Sequence, residues 1–575
     1  MQVNRRGLLA GMAATPLIAA IDKKPAGIGE ITVFEAKKIV TMERGLPEAR
    51  FVACAGGTIL GVAQSAEALE PWTSGRSVKI DRQFADKVLF PGLIDPHIHP
   101  MQTAVMLNMP FIAPDDWNLP SGNWPGVIGQ DAYRARLRKL VSEDQSDPLI
   151  TWGHHELFHG PLDRAVLDEM SPERPLFVWQ RSFHEIFANT AALESMGLAE
   201  ESAFNAAVAA AKSDPHHANF EKGIFSETAL GIAIAKLRPV ILSPEKLNNG
   251  FAGLLSMMKD RGVTTTADLA TGIFAGFDAE SALIAGTFDR PNPASRVMLM
   301  PIAAEIFGQE DLGSWLTDAK VKYTRQNVSL DKRVKLFADG AFFAQYMQMG
   351  PPGYTDGHLG KWLTEPNMLQ QHMEKFWAAG FSLHIHVNGD LGADVVLNGL
   401  ATLDHRPAQE ITLEHLGYCT EAQAQRIADM GLMVSAQPNY IRVLGKAYSE
   451  TGLGADRASL MNRLGSLERG NVPLGLHSDF NMAPIDPFYL AWIAQTREGI
   501  DGVDRAPAER LSREKALRSI TIEAAQVIGM DEQIGSVAAG KKADFVALDT
   551  DPFEVNLEVM KEMPINATVF EGNVA

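Results

Sequence analysis

Cysteine is nearly missing from this chain. Its 575 residues carry only Cys54 and Cys419, far apart and in dissimilar contexts. That excludes a disulfide framework and a thiolate-rich metal site. Any metal must be held by nitrogen and oxygen, and the two thiols read as small buried apolar residues. Past the first residues there is also no apolar run long enough to span a bilayer, so stable membrane association is not expected. Positive charge is in deficit: 52 Lys and Arg stand against 70 Asp and Glu, a formal net charge of −18. This argues against nucleic acid or an anionic membrane as the main partner. Homo-oligomerisation stays undetermined. What is present is an ordinary globular composition, 46% hydrophobic and 21% charged, long enough for two or three structural units.

The opening "MQVNRRGLLAGMAATPLIAA" sets Arg5 and Arg6 before a short stretch rich in Ala and Leu. It reads as a twin-arginine type export signal over residues 1–24, which would make the protein periplasmic. A disordered basic start to a cytoplasmic protein is the other reading. Beyond it, "ITVFEAKKIVTM", "ARFVACAGGTILGVAQ" and "SVKIDRQFADKVLF" are short β-rich runs broken by Gly and polar turns. "IGSVAAGKKADFVALDTDPF" and "INATVFEGNVA" at the far end have the same character. A β unit shared between both ends (28–86 and 534–575) is the simplest arrangement, with a large domain (87–533) between them.

Within that domain eight short apolar segments recur, most followed by a helical pattern: "VLFPGLIDPHIH", "GVTTTADL", "RVMLMPI", "RVKLFADG", "FSLHIHV", "ITLEHL", "LMVSAQPN" and "VPLGLHSD". Eight strand–helix units point to an α/β fold, a closed (β/α)8 TIM-like barrel. The stretch from about 105 to 245 is too long for one connection and carries helices such as "SAFNAAVAAAKS". It reads as a large insertion after the first barrel strand.

In such a barrel the functional groups gather at the C-terminal ends of the strands. Those ends carry His97 and His99, then Lys335, His384 and His386, His415, and lastly His477 and Asp479. Imidazoles and carboxylates in this mixture suit zinc or a similar divalent ion. Each residue also has a plainer reading. A single strand-end histidine is often a hydrogen-bonded structural residue, and Asp479 would serve as a turn or helix-cap aspartate. Lys335 interrupts an apolar strand, and a buried unpaired ammonium is costly, so it must reach solvent or carry altered chemistry.

"FPGLIDPHIH" resembles the first-strand signature of the amidohydrolase superfamily. "HVNGDLGAD" resembles the H-x-x-G-D pattern of its subgroup of YtcJ-like proteins and N-substituted formamide deformylases (amidohydrolase family 3). "RVKLFADGA", "LEHL", "SAQPN" and "HSDFNMAPIDPF" are similar to the later strands in order. "SPERPLFVWQRSFHEIFANTAAL" and "KGIFSETA" resemble the subgroup's inserted region, and "ALRSITIEAAQVIGMDEQIGSVAAGKKADFVALD" its closing helix and return to a β-sandwich. The resemblance covers almost everything after residue 30.

The resemblance implies two divalent metal ions, zinc first among them. His97 and His99 would bind the more buried one with Asp479, and His386 and His415 the second. A carboxylated Lys335 would bridge both, since an ammonium has no lone pair to coordinate with and a carbamate supplies two oxygens and a negative charge. A neutral amine, or a one-metal site that ignores Lys335, is the alternative. Divalent zinc can bring the pKa of bound water from 15.7 to about 7, and Asp479 is expected to carry that water's proton to the leaving group as the catalytic residue. The expected enzyme is a hydrolase of non-peptide carbon–nitrogen bonds, an amide, N-acyl or N-formyl group on a fairly apolar molecule. An esterase or lactonase with the same site, and a non-catalytic metal-binding sensor, are the competing readings.

Some positions depart from the family pattern. His477 stands where a small residue is usual, and His384 lies two before His386. Both are candidate substrate contacts or packing residues behind the site. His184, and in "TWGHHELFHG" Trp152, His154 and His155, are further candidates for the pocket. "AFFAQYMQMGPPGYTDG" predicts an apolar, aromatic wall.

Overall fold

The computed structural model describes residues 29–404 and 410–575. The expected export segment lies outside the described residues. All eight anticipated apolar segments form strands: β1 (Leu93–Ile98), β2 (Val263–Thr271), β3 (Arg296–Pro301), β4 (Arg333–Phe337), β5 (Ser382–Val387), β6 (Ile411–His415), β7 (Met433–Ala436) and β8 (Leu474–Leu476). Every residue of β1, β2, β3 and β5 is buried, as a parallel strand covered on both faces requires.

The strands form two parallel arcs, one running β3-β2-β1 and the other β4-β5-β6-β7-β8. The arcs meet at both seams. Ile302, just past β3, bridges to Lys335 on β4. Across the other seam the Asp479 N–H donates to the His97 carbonyl at 3.0 Å, and the Ser478 N–H donates to Asp95 Oδ1 at 3.1 Å. Burial lifts that Asp95 carboxyl up to about 7, against the amides of Ser478 and His97.

Helices return between the strands where local signals start them. Ser243 caps Pro244–Asp260, with Pro at the first turn. Thr420 and Gln423 form a capping box at the start of Glu421–Asp429. The helix Pro244–Asp260 lies so close to Pro100–Met106 that a Cβ on Gly250 would sit 2.0 Å from the Ala104 carbonyl oxygen. Only glycine fits there.

Both chain ends build one seven-stranded sheet: Asn573–Val574, Ala567–Phe570, Phe545–Leu548, Val78–Pro91, Ile31–Val40, Glu48–Ala55 and Thr58–Ala63, in that order. Arg296 of β3 ties it to the parallel strands through Asp544, at 3.1 Å from Nη2 to Oδ1. Between β1 and β2 the chain builds a second sheet of five strands from Leu149–His154, Leu176–Gln180, Glu185–Ala188, Ala218–Asn219 and Ile224–Ser226. Its loops cover the C-terminal ends of the parallel strands. Cys54 and Cys419 are both buried free thiols.

Candidate metal centre

His97, His99, Lys335, His386, His415 and Asp479 all line one cavity of about 460 Å³ at the C-terminal ends of the parallel strands. Nε2 of His99 lies 3.1 Å from Asp479 Oδ1, and Nε2 of His97 lies 3.8 Å from the same oxygen. Nδ1 of His415 stands 3.8 Å from Asp479 Oδ2. Two groups of side chains in this region have ligand atoms close enough to share an ion: His97 with His99 and Asp479, and His97 with His415 and His477. Among the described residues neither group includes His386. Its ring is 4.6 Å from that of His415, and its Nε2 meets Asn388 Nδ2 at 3.1 Å.

Backbone conformation aims two of these side chains. A strand alternates its side chains, so Glu414 and His415 should face opposite ways. His415 has φ +71, and Asp479, just past β8, has φ +47. Such left-handed values are uncommon outside glycine and concentrate at functional sites. Here they let Glu414 point between the strands toward His97 and His384 while His415 still reaches the cavity.

Glu414 is the residue that sequence reasoning missed. Fully buried between β1 and β5, its two oxygens each lie 2.7 Å from a histidine Nδ1, one of His97 and one of His384. With that contact, the His97 Nδ1–H donates to Glu414 and its Nε2 is left toward the cavity. The signal was a carboxylate inside an apolar strand, in "ITLEHL", where an uncompensated charge is expensive.

The electrostatics agree with a site built for cations. Burial, reinforced by Lys335, holds His97, His386 and His477 well below the usual imidazole range. For His415 burial is reinforced by His386 and then Lys335. All four rings are therefore neutral and keep a lone pair. Burial opposes the charge on His99, but Asp268 and Asp479 outweigh it and raise the ring to about 9. Lys335 is pushed down to about 8 by burial, against the pull of Glu414 and Asp479. Its Nζ has no hydrogen-bond partner, and neither do Nε2 of His97 and Nδ1 of His99. Buried polar atoms without partners are costly. A divalent ion in the cavity would satisfy Nε2 of His97 beside Asp479, so the donor set fits a metal.

Other expected pocket residues divide. His184 lines the cavity, its Nδ1 held 2.8 Å from Glu227 Oε2. Burial works against its charge, and the Glu227 carboxylate prevails, raising its pKa. Trp152, His155, His384 and His477 are not among the residues that line this cavity, and for His384 and His477 that is the packing position behind the site. Trp152 is buried against Phe111 and Trp117. His155 stands behind Phe343, and its backbone N–H donates to His159. His384 faces the interior one layer below His386 and is taken by Glu414 and Arg333. His477 lies beneath Asp479, between His415 and Ser435. His154 is likewise buried, against the Gly160 carbonyl.

The wall is apolar and aromatic; the loop after Gly340 supplies Ala341, Phe342 and Phe343, and other segments supply the rest. Phe337, Phe342, Phe343, Phe183, Phe274 and Tyr440 supply much of it. Phe342 stacks on Tyr440 with ring centroids 4.2 Å apart. Behind that wall Arg181 is fully buried, paired with Asp115 at 2.8 and 3.0 Å and donating to the carbonyls of Asn481 and Met482. It fastens the inserted sheet to the loop that follows Asp479.

Residues 85–575 match the model of a family described as the amidohydrolase family. Among curated proteins, the chain is 24% identical over 518 residues to the N-substituted formamide deformylase of Arthrobacter pascens, covering 84% of this chain and 88% of that protein. It is 23% identical over 539 residues to the putative amidohydrolase YtcJ of Bacillus subtilis, covering 90% and 94%. Among solved structures, an uncharacterised metal-dependent hydrolase from Pyrococcus horikoshii superposes with a TM-score of 0.67 at 19% identity, covering 92% of this chain and 99% of that one. At that identity the likeness concerns the fold.

Proposed function

This chain belongs to the amidohydrolase family, and on that premise we propose that it is a metal-dependent hydrolase of non-peptide carbon–nitrogen bonds, cleaving an amide, N-acyl or N-formyl group from a fairly apolar small molecule. One observation carries the reading: six side chains from β1, β4, β5, β6 and the end of β8 line one cavity. The two arcs of strands are read as a single eight-stranded barrel, supported by the contacts across both seams.

His97, His99 and Asp479 would hold one divalent ion, most simply zinc, and His386 and His415 a second, with Lys335 as a carboxylated bridge between them. Such ions supply a Lewis acid that polarises a carbonyl and lowers the pKa of water. The remaining chemistry belongs to the chain. Asp479 faces the cavity and accepts a proton from the attacking water, then returns it to the leaving nitrogen. His184, whose Nδ1 is engaged by Glu227, presents Nε2 to a polar group of the substrate. The aromatic wall takes the apolar part and keeps bulk water away from the reacting carbonyl. The deformylase relative, which is named for N-substituted formamides, supports the N-formyl choice.

The test is product analysis across matched amides, formamides, esters and lactones with metal-loaded protein. Turnover of the amide or formamide members is expected. Turnover of esters and lactones alone would overturn the carbon–nitrogen assignment.

A further inference from the structure

The lining of the cavity changes character between its buried and its exposed parts. Its ionisable groups are all buried or half-buried, and Phe183, Phe342, Phe343 and Tyr440 are buried with them. Among the described residues, the exposed part of the lining is Thr228, Gly231, Ile273 and Ala304. None of these four is charged. Leu230, Ile234, Ile302 and Leu363 are half-buried in the same lining.

This apolar rim is firmly built. The loop from Gly272 to Gly276 has positive φ at both glycines, +116 and +85, and one buried carboxylate gathers its amides. Glu280 accepts from the N–H groups of Gly272, Phe274 and Ala275 at 2.7, 2.5 and 2.6 Å. The loop so held turns Phe274 inward, at 2% exposure, and keeps Ile273 in solvent at 47%. From the inserted region, the helix Leu230–Ile241 buries Ala233, Leu237 and Ile241 and gives Leu230 and Ile234, four apart, to the cavity. Aliphatic side chains fixed in water at the entrance to a cavity are unfavourable until something apolar covers them. Four exposed residues fall far short of the roughly 20–30 a side of a stable protein interface. Their continuity with the reaction cavity points to the substrate instead.

We propose that the substrate carries an extended aliphatic tail, which runs from the reacting carbonyl past the aromatic wall and leaves between Ile273 and the helix Leu230–Ile241. The inference rests on the hydrolase reading above and deepens it by naming the substrate class: an amphiphilic amide or formamide with one long alkyl chain. Because the rim opens to water, tail length meets no steric ceiling. Each added methylene strengthens binding until the chain clears the rim, and further ones add nothing.

Two substrate series test this on metal-loaded full-length protein. N-alkylformamides from methyl to dodecyl place the tail on nitrogen, and N-methylalkanamides of matching length place it on the acyl group. In one series or both, kcat/KM is expected to rise by up to about fourfold per methylene, then to level off without falling. Ile273→Asp is expected to cut the dodecyl-to-methyl ratio of kcat/KM about tenfold, the effect of roughly two buried methylenes, and Ile273→Leu to preserve it. Turnover of the short members with a flat profile, or a collapse beyond some length, would overturn the tail and leave the hydrolase reading standing. An unchanged ratio in Ile273→Asp would overturn the route past Ile273. No turnover of any member would overturn the tail together with the carbon–nitrogen reading.

Discussion

Glu414 holds His97 through a 2.7 Å contact between its Oε2 and the ring's Nδ1, deep in the interior where neither group meets water. The pair fixes which nitrogen of His97 faces the cavity. Glu414→Ala is therefore expected to weaken zinc binding by about 10–100-fold, the usual consequence of losing a carboxylate that orients a histidine ligand. Calorimetric titration of the metal-free protein with zinc checks it, and unchanged affinity would remove Glu414 from the site.

Lys335 ends in a buried Nζ with no partner, on the same cavity as five histidines. Lys335→Ala is expected to lose bound metal and activity together. Added short carboxylic acids or bicarbonate should restore part of both by filling the vacated anionic position. Full metal content and rate in Lys335→Ala would end the carbamate proposal.

Asp479 is assigned two tasks, one as ligand and one as proton carrier. Asp479→Asn keeps an oxygen donor and loses the base. It should retain much of the metal, while turnover falls by about 10²–10⁴-fold, the range of general acid–base catalysis. Elemental analysis beside steady-state rates separates the two tasks. An undiminished rate would remove the proton-carrying one.

Arg181 lies beneath the faces of Trp117, Trp152 and Phe343, with Asp115 as its counter-charge. Arg181→Met strands a carboxylate and two carbonyls that the guanidinium now satisfies. Urea unfolding should show a loss of about 3–5 kcal/mol, as for other broken buried ion pairs. A loss below about 1 kcal/mol, the scale of exposed pairs, would contradict this role.

Much of the architecture was legible in the sequence because parallel strands covered on both faces must be continuous apolar runs. All eight such runs became strands. The histidines and the aspartate at the ends of those runs were legible as one set by position alone. Glu414 was not, because alternation along β6 aims it away from the cavity, and only the left-handed backbone at His415 lets neighbouring residues both serve the site. Trp152 and His155 misled for the opposite reason. Their residue types suit a pocket, but Trp152 is packed against Phe111 and Trp117 and His155 behind Phe343. Arg181 was silent because its partners, Asp115, Asn481 and Met482, come from segments far apart in the chain.

The most direct test is metal removal and return. Purified protein should contain about two divalent ions per chain, lose amide or formamide hydrolysis when a chelator strips them, and regain it in proportion to zinc restored. A folded, metal-free protein that hydrolyses the same substrate at an undiminished rate would contradict the account at its root.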